Sequence, residues 1–190
     1  MYASENNEIK QKLLLNPYSV HHQKKYYKII SHAFIHADFM HLGVNMYVLY
    51  SFGTNLEFTF VSIFGTIGLL YFVLLYIGGI IFASLLSLRT HKNNPYYNSL
   101  GASGAVSAVL FAYILIYPFS KLYLLGGIPI VAILFGVIYV GYEMYQNKNG
   151  RTNIAHDAHL MGALFGVVFT IILNPTYFFE NFIFQISQYF

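Results

Sequence analysis

The sequence predicts an all-α, polytopic membrane helix bundle with five spans. Two observations carry this. Hydrophobic residues make up 57% of the chain and charged residues only 9%, against about 25% charged in a soluble domain. Ten Lys/Arg and seven Asp/Glu cannot cover the surface of a fold this size, so much of the solvent must be lipid. The charges are also spaced to leave five runs without Asp, Glu, Lys or Arg: residues 39–56, 58–88, 93–120, 122–142 and 158–179. A charge at mid-bilayer costs about 3 kcal/mol or more. Each run can hold about 20 helical residues, enough for roughly 30 Å of hydrocarbon. A soluble bundle of buried helices is the opposing reading, but helices apolar all round have no soluble face.

The elements follow in order. Residues 1–36 form a polar N-terminal segment and loop, and residues 1–30 contain no long apolar core, so no signal or transit peptide is expected. Residues 37–175 form the membrane domain. Its first two runs are split only by Glu57, which places a helix end near Gly53–Glu57 and a new start near Gly65. "RTHKNNPYYN" (89–98) is a polar loop, "YPFSK" (117–121) a tight turn, and "QNKNGRTN" (146–153) a loop rich in Asn. Asn174-Pro175 ends the last span, and "TYFFENFIFQISQYF" (176–190) is an aromatic tail, interfacial or docked. There is no cysteine, so disulfides and thiolate chemistry are excluded. The net charge of +3 is too small and scattered to argue for nucleic acid. Trp is absent, and 18 Tyr with 18 Phe supply the interfacial aromatics.

Polar residues inside apolar spans are functional candidates by default. His41 and Asn45 are four residues apart and share a helix face. His32 and His36 have the same spacing and read as interface histidines at a helix start. In "GASGA", Gly101 and Gly104 clear space on either side of Ser103 for a backbone or a substrate. A helix beginning at Ser103 points free N–H groups at its surroundings. Gly162 and Gly166 permit a close helix approach, and His159 lies about one turn before them. Alternating spans put His41, Ser103 and His159 near the starts of the first, third and fifth, on one side of the membrane. A serine needs a base, and His159 is the candidate. An oxyanion needs donors, and His41, Asn45 and the Ser103 N–H are suitable. Asp157 reads as a loop or cap residue.

Together "HAFIHADFMHLGVNM", "GASGA" and "AHLMGALFG" resemble the rhomboid family of intramembrane serine proteases, over about residues 16–175. The resemblance implies Ser103 as nucleophile, His159 as base, and His41 and Asn45 as oxyanion-hole residues. It implies transmembrane protein substrates admitted laterally past residues 122–145 and the loop 146–153, with no metal or cofactor. Gly53 and Glu57 match a Gly-x-x-x-Glu pattern that ends the helix in relatives, and Tyr27-Lys28 stands in place of a Trp-Arg pair. The family core has six helices. This chain lacks an apolar first helix, which points to truncation or to a helix supplied otherwise. Ser107 stands where many bacterial relatives have a Tyr stacked on the base, so another aromatic is expected there.

The resemblance implies a multi-pass protein of a bacterial inner membrane, with its site facing out. The positive-inside rule disagrees, because Lys10, Lys12, Lys24, Lys25, Lys28, Arg89, Lys92, Lys148 and Arg151 all lie on the site's side, against Lys121 opposite. Two alternatives stand beside the protease reading. One is a non-catalytic binder of transmembrane helices. The other is a metal-dependent membrane enzyme using the His32/His36 and His156/His159 spacings.

Overall fold

The computed structural model describes residues 7–123, 127–150 and 154–189. Arg151 and the loop end 151–153 lie outside these residues, as do residues 1–6 and Phe190. Three short helices come first: α1 (Asn7–Leu13), α2 (Pro17–Gln23) and α3 (Lys28–Ser31). The segment is polar in composition yet buries Leu14, Leu15, Val20, Ala33 and Ile35. Buried polar side chains hold it. Lys28 Nζ donates to the carbonyls of Gln11 (2.9 Å) and Leu14 (3.1 Å), and Ser31 Oγ donates to that of Leu13 (2.8 Å). Asn16 Nδ2 donates to Pro95 O at 3.0 Å and Tyr97 O at 2.9 Å, tying the segment to the loop expected around Pro95.

Five helices then form the bundle: α4 (Phe39–Phe64), α5 (Ile67–Thr90), α6 (Ser103–Ile116), α7 (Ala132–Asn149) and α8 (His156–Leu173). Residue contacts show how they run. A side chain at Gly68 would strike the Phe60 backbone and one at Gly53 would meet Phe72, so α4 and α5 are antiparallel. Gly79 faces Ala105 and Ala108 while Gly104 faces Ala83, so α5 and α6 are antiparallel. Gly162 meets Gly104 and Gly166 meets Ala108, with numbers rising together, so α6 and α8 are parallel. At both of the latter positions an added Cβ would fall on a carbonyl of α6.

All of α6 except Ser103 and Tyr113 is buried, with the other helices around it. The outer surface carries large apolar side chains, among them Tyr50 and Phe58 at 75% exposure and Ile172 at 69%. That surface suits lipid and not water. Two helices combine span length with high mean hydropathy: α5 at 2.4 and α8 at 1.6. At 1.5 Å per residue, the 14 residues of α6 reach only about 21 Å, shorter than the hydrocarbon layer.

Two expectations are corrected, and one left open is decided. The helix does not end at Gly53–Glu57; α4 runs through both and stops at Gly65, whose φ of 66° breaks it. Glu57 is exposed and perturbs nothing inside. The run 122–142 is not helical from its start. Lys121–Tyr123 (β1) and Pro129–Val131 (β2) pair as an antiparallel hairpin, with Leu122 opposite Ile130. Pro129 lacks an N–H, Ile130 and Val131 are β-branched, and α7 begins only after them. The tail, read as interfacial or docked, is docked over residues 176–189: after a π-helical turn, Thr176–Glu180, α9 (Asn181–Tyr189) lies beside the end of α6. Buried Phe178 packs on Phe60 and Phe64, and Gln185 Nε2 donates to Ile116 O at 3.1 Å.

A bulky side chain in the α6–α8 contact must push the helices apart. Gly162→Leu is expected to lower stability by about 1–3 kcal/mol or more, read as the thermal midpoint in detergent. Gly141→Ala, in α7 with nothing within 4 Å, is expected to be neutral or to gain up to about 1 kcal/mol.

Candidate active site

Ser103 opens α6, so the N–H groups of the first turn have no intrahelical partner. Gly101 just before it has φ 106°, which favours glycine, and donates its N–H to His32 O at 3.0 Å. A Cβ there would lie 2.8 Å from His41 Cε1 and 3.8 Å from Ser103 Oγ. That single empty position separates the imidazole from the hydroxyl.

His159 lies in the first turn of α8. The glycine contacts bring its helix against α6, and His159 Nε2 sits 2.7 Å from Ser103 Oγ. Its other nitrogen, Nδ1, is 3.0 Å from Glu143 Oε1. The second carboxylate oxygen of Glu143 is 2.5 Å from His156 Nδ1. Glu143 is buried at 3% exposure, and His156 at 4%. Above this group Tyr139 lies nearly parallel to the His159 ring, with centroids 6.4 Å apart and planes 30° apart. The Tyr139 hydroxyl and the Ser107 hydroxyl are hydrogen-bonded at 2.7 Å. The aromatic expected near the base therefore comes from α7, and Ser107 takes its hydroxyl.

His41 sits in the first turn of α4, where the Asp38 side chain caps the helix by accepting the His41 N–H at 2.7 Å. Asn45, one turn on, is buried, and its Nδ2 has no partner among the described residues. A buried amide left unpaired is costly, and His36 Nε2 is likewise without a partner among the described residues. His32 and His36 are both buried. His32 Nδ1 lies 3.1 Å from the Lys28 carbonyl, which can only accept, so Nδ1 carries the proton. Burial holds its pKa below the ordinary histidine value, against its hydrogen bonding to the backbone of Lys28 and Ile29, which raises it. The ring of His36 meets His41 edge-on at 5.1 Å. Asp157 accepts from Ser87 Oγ on α5 at 2.7 Å, pinning the start of α8 away from the His159 ring.

Glu143, His156 and His159 offer ligand atoms within 4.8 Å of one another, a set able to take a divalent cation. The His32/His36 pair gains no third ligand among the described residues. Two side chains at the site were not selected from the sequence, Glu143 and Tyr139. Glu143 served there only as the charged end of the run 122–142. The signal was present: α7 continues to Asn149, so a carboxylate stands within an apolar helix, which is itself a functional mark.

The Rhomboid domain model matches residues 23–176. RHOMBOID-like protein 12, mitochondrial, of Arabidopsis thaliana is 32% identical over 150 residues, covering 71% of this chain and 43% of that protein. Rhomboid protein 1, mitochondrial, of Saccharomyces cerevisiae is 34% identical over 145 residues, covering 74% and 40%. Rhomboid-like protein 11, chloroplastic, of Arabidopsis thaliana is 32% identical over 173 residues, covering 83% and 56%. The chain spans about two fifths of the length of the first two. It is an integral membrane protein, and it belongs to the rhomboid family.

Proposed function

We propose that this chain is an intramembrane serine endopeptidase that cleaves transmembrane segments of other proteins with Ser103 and His159. The observation that carries the reading is the 2.7 Å contact between Ser103 Oγ and His159 Nε2, made across two helices and 56 positions of sequence. Ser103 Oγ attacks the peptide carbonyl carbon as its proton passes to His159 Nε2. The carbonyl oxygen becomes an oxyanion, accepted by the Ser103 N–H, His41 and the unpaired Asn45 Nδ2. The C–N bond then breaks, with the imidazolium proton going to the leaving amine. Water, activated by the same imidazole, releases the acyl group.

The membrane unit is residues 37–175, with five spans, α4 to α8. The short α6 is enclosed by its neighbours and needs no lipid contact at either end. Residues 7–36 pack over the site's side, and 176–189 dock at the other. The names of the first two relatives favour a mitochondrial membrane over the bacterial inner membrane expected from the sequence.

Purified chain in liposomes, with a model transmembrane substrate, tests the reading. Ser103→Ala and His159→Ala are expected to abolish cleavage and fluorophosphonate labelling at position 103. Full cleavage by Ser103→Ala would overturn the proposal. Neither cleavage nor labelling in the folded wild-type chain would point instead to a binder of transmembrane helices. Asn45→Ala and His41→Ala are each expected to lower kcat about 10²–10³-fold with KM little changed. For Tyr139 the ring matters more than the hydroxyl. Tyr139→Phe should keep near-native kcat, while Tyr139→Ala should lose about 2–10-fold, the worth of one ring contact.

A further inference from the structure

We infer that Glu143 is a positioning residue that completes a Ser103–His159–Glu143 triad, with His156 holding the second carboxylate oxygen. The inference rests on the Ser103–His159 reading above. Ionised carboxylate oxygens only accept hydrogen bonds. With Glu143 Oε1 3.0 Å from His159 Nδ1, that nitrogen must carry the proton. The neutral ring then has a bare Nε2, which faces Ser103 Oγ at 2.7 Å. A general base needs this tautomer, and a serine alone does not select it, because a hydroxyl can donate or accept.

The carboxylate is itself held. It is buried, and Oε2 takes a second N–H from His156 Nδ1 at 2.5 Å. Both oxygens are thus engaged, and the plane of the carboxylate is set against two imidazoles. When the serine proton reaches Nε2, the imidazolium keeps its Nδ1–H on Glu143, and the negative charge stabilises it. No proton moves to Glu143. The other groups facing the ring are Tyr139 from α7, His156 from α8 and His41 from α4, none of them a carboxylate. Asp157 is turned away onto Ser87.

The acid is borne by α7, while the nucleophile and base are borne by α6 and α8. Of the 18 residues of α7, only Ala132, Gly136 and Glu143 are buried. Near the site, its polar ties to the bundle are Tyr139 to Ser107 and Glu143 to the two histidines. Displacing α7 therefore disconnects the acid from the base.

Two measurements test this on the full chain. Glu143→Gln keeps the shape, but its amide can donate to Nδ1 and select the wrong tautomer. We expect kcat to fall about 10²–10⁴-fold at unchanged KM, with the fluorophosphonate labelling rate of Ser103 falling in parallel. An unchanged thermal midpoint would separate this from a folding defect. The second readout needs no acid variant: ¹⁵N NMR of histidine-labelled wild-type protein, with the His159 signals assigned by their loss in His159→Gln. A protonated Nδ1 and bare Nε2 in the resting ring are expected, and the opposite tautomer overturns the inference even where Glu143→Gln does not fold. Full activity in Glu143→Gln with Ser103→Ala inactive also overturns it, leaving the protease reading intact. Activity surviving in Ser103→Ala removes both.

Discussion

The close crossing of α6 and α8 is the constraint on which the rest depends. Ser103 and His159 meet only because two helix backbones touch. Gly162 lies on the carbonyl of Gly104, and Gly166 lies on that of Ala108. In lipid there is no hydrophobic force between spans, so association relies on van der Waals contact and hydrogen bonds. Small residues maximise that contact by removing the side chains that would hold the backbones apart. Gly79 and Ala83 of α5 continue the pattern on another side of α6. The polar groups inside this packing are satisfied locally: Ser84 donates to Ile80 O at 2.9 Å and Thr170 to Gly166 O at 2.8 Å.

The two ends of the site are held by different means. On the loop side, a chain of hydrogen bonds runs from the N-terminal segment to Gly101, two residues before Ser103. Leu15 and Ser99 pair through their backbones, Lys28 collects carbonyls at its ammonium, and His32 O fixes Gly101. Gly101 in turn sits against His41. The segment's polarity serves this role, because each buried carbonyl there needs a donor. On the α7 side, Ala132, Phe135 and Val140 join the core, the polar ties are Tyr139 and Glu143, and Val137, Ile138 and Met144 face outward. Stability is thus distributed unevenly, with α6 at the well-packed end and α7 at the loose end. The residue that orients the base sits on the loose helix.

Much of the plan was legible in the sequence, and the misreadings have physical reasons. Charge-free runs report polarity and not conformation. The run 122–142 was therefore read as one helix, although Pro129 and the β-branched residues after it make a hairpin. Glu57 was read as a boundary because a charge is costly at mid-bilayer. It lies 18 residues beyond Phe39 on α4, about 27 Å along the helix, and it is exposed, so the helix passes through it. The same rule hid Glu143, which was taken as a boundary and is buried against two histidines.

The sequence by itself determined the class of solvent, the all-α class, and the shared face of His41 and Asn45. It also marked the glycines that let two helices touch. These depend on composition and on spacing within one helix, both of which are local. Only the tertiary structure decided which groups complete the surroundings of His159. Tyr139 and Glu143 come from a separate helix, and their approach depends on how α7 rotates and how far it slides along α6 and α8. No periodicity within one segment encodes that. It follows from the packing of Gly136 against Phe111 and Ile114, which sets the height at which Tyr139 and Glu143 reach the site.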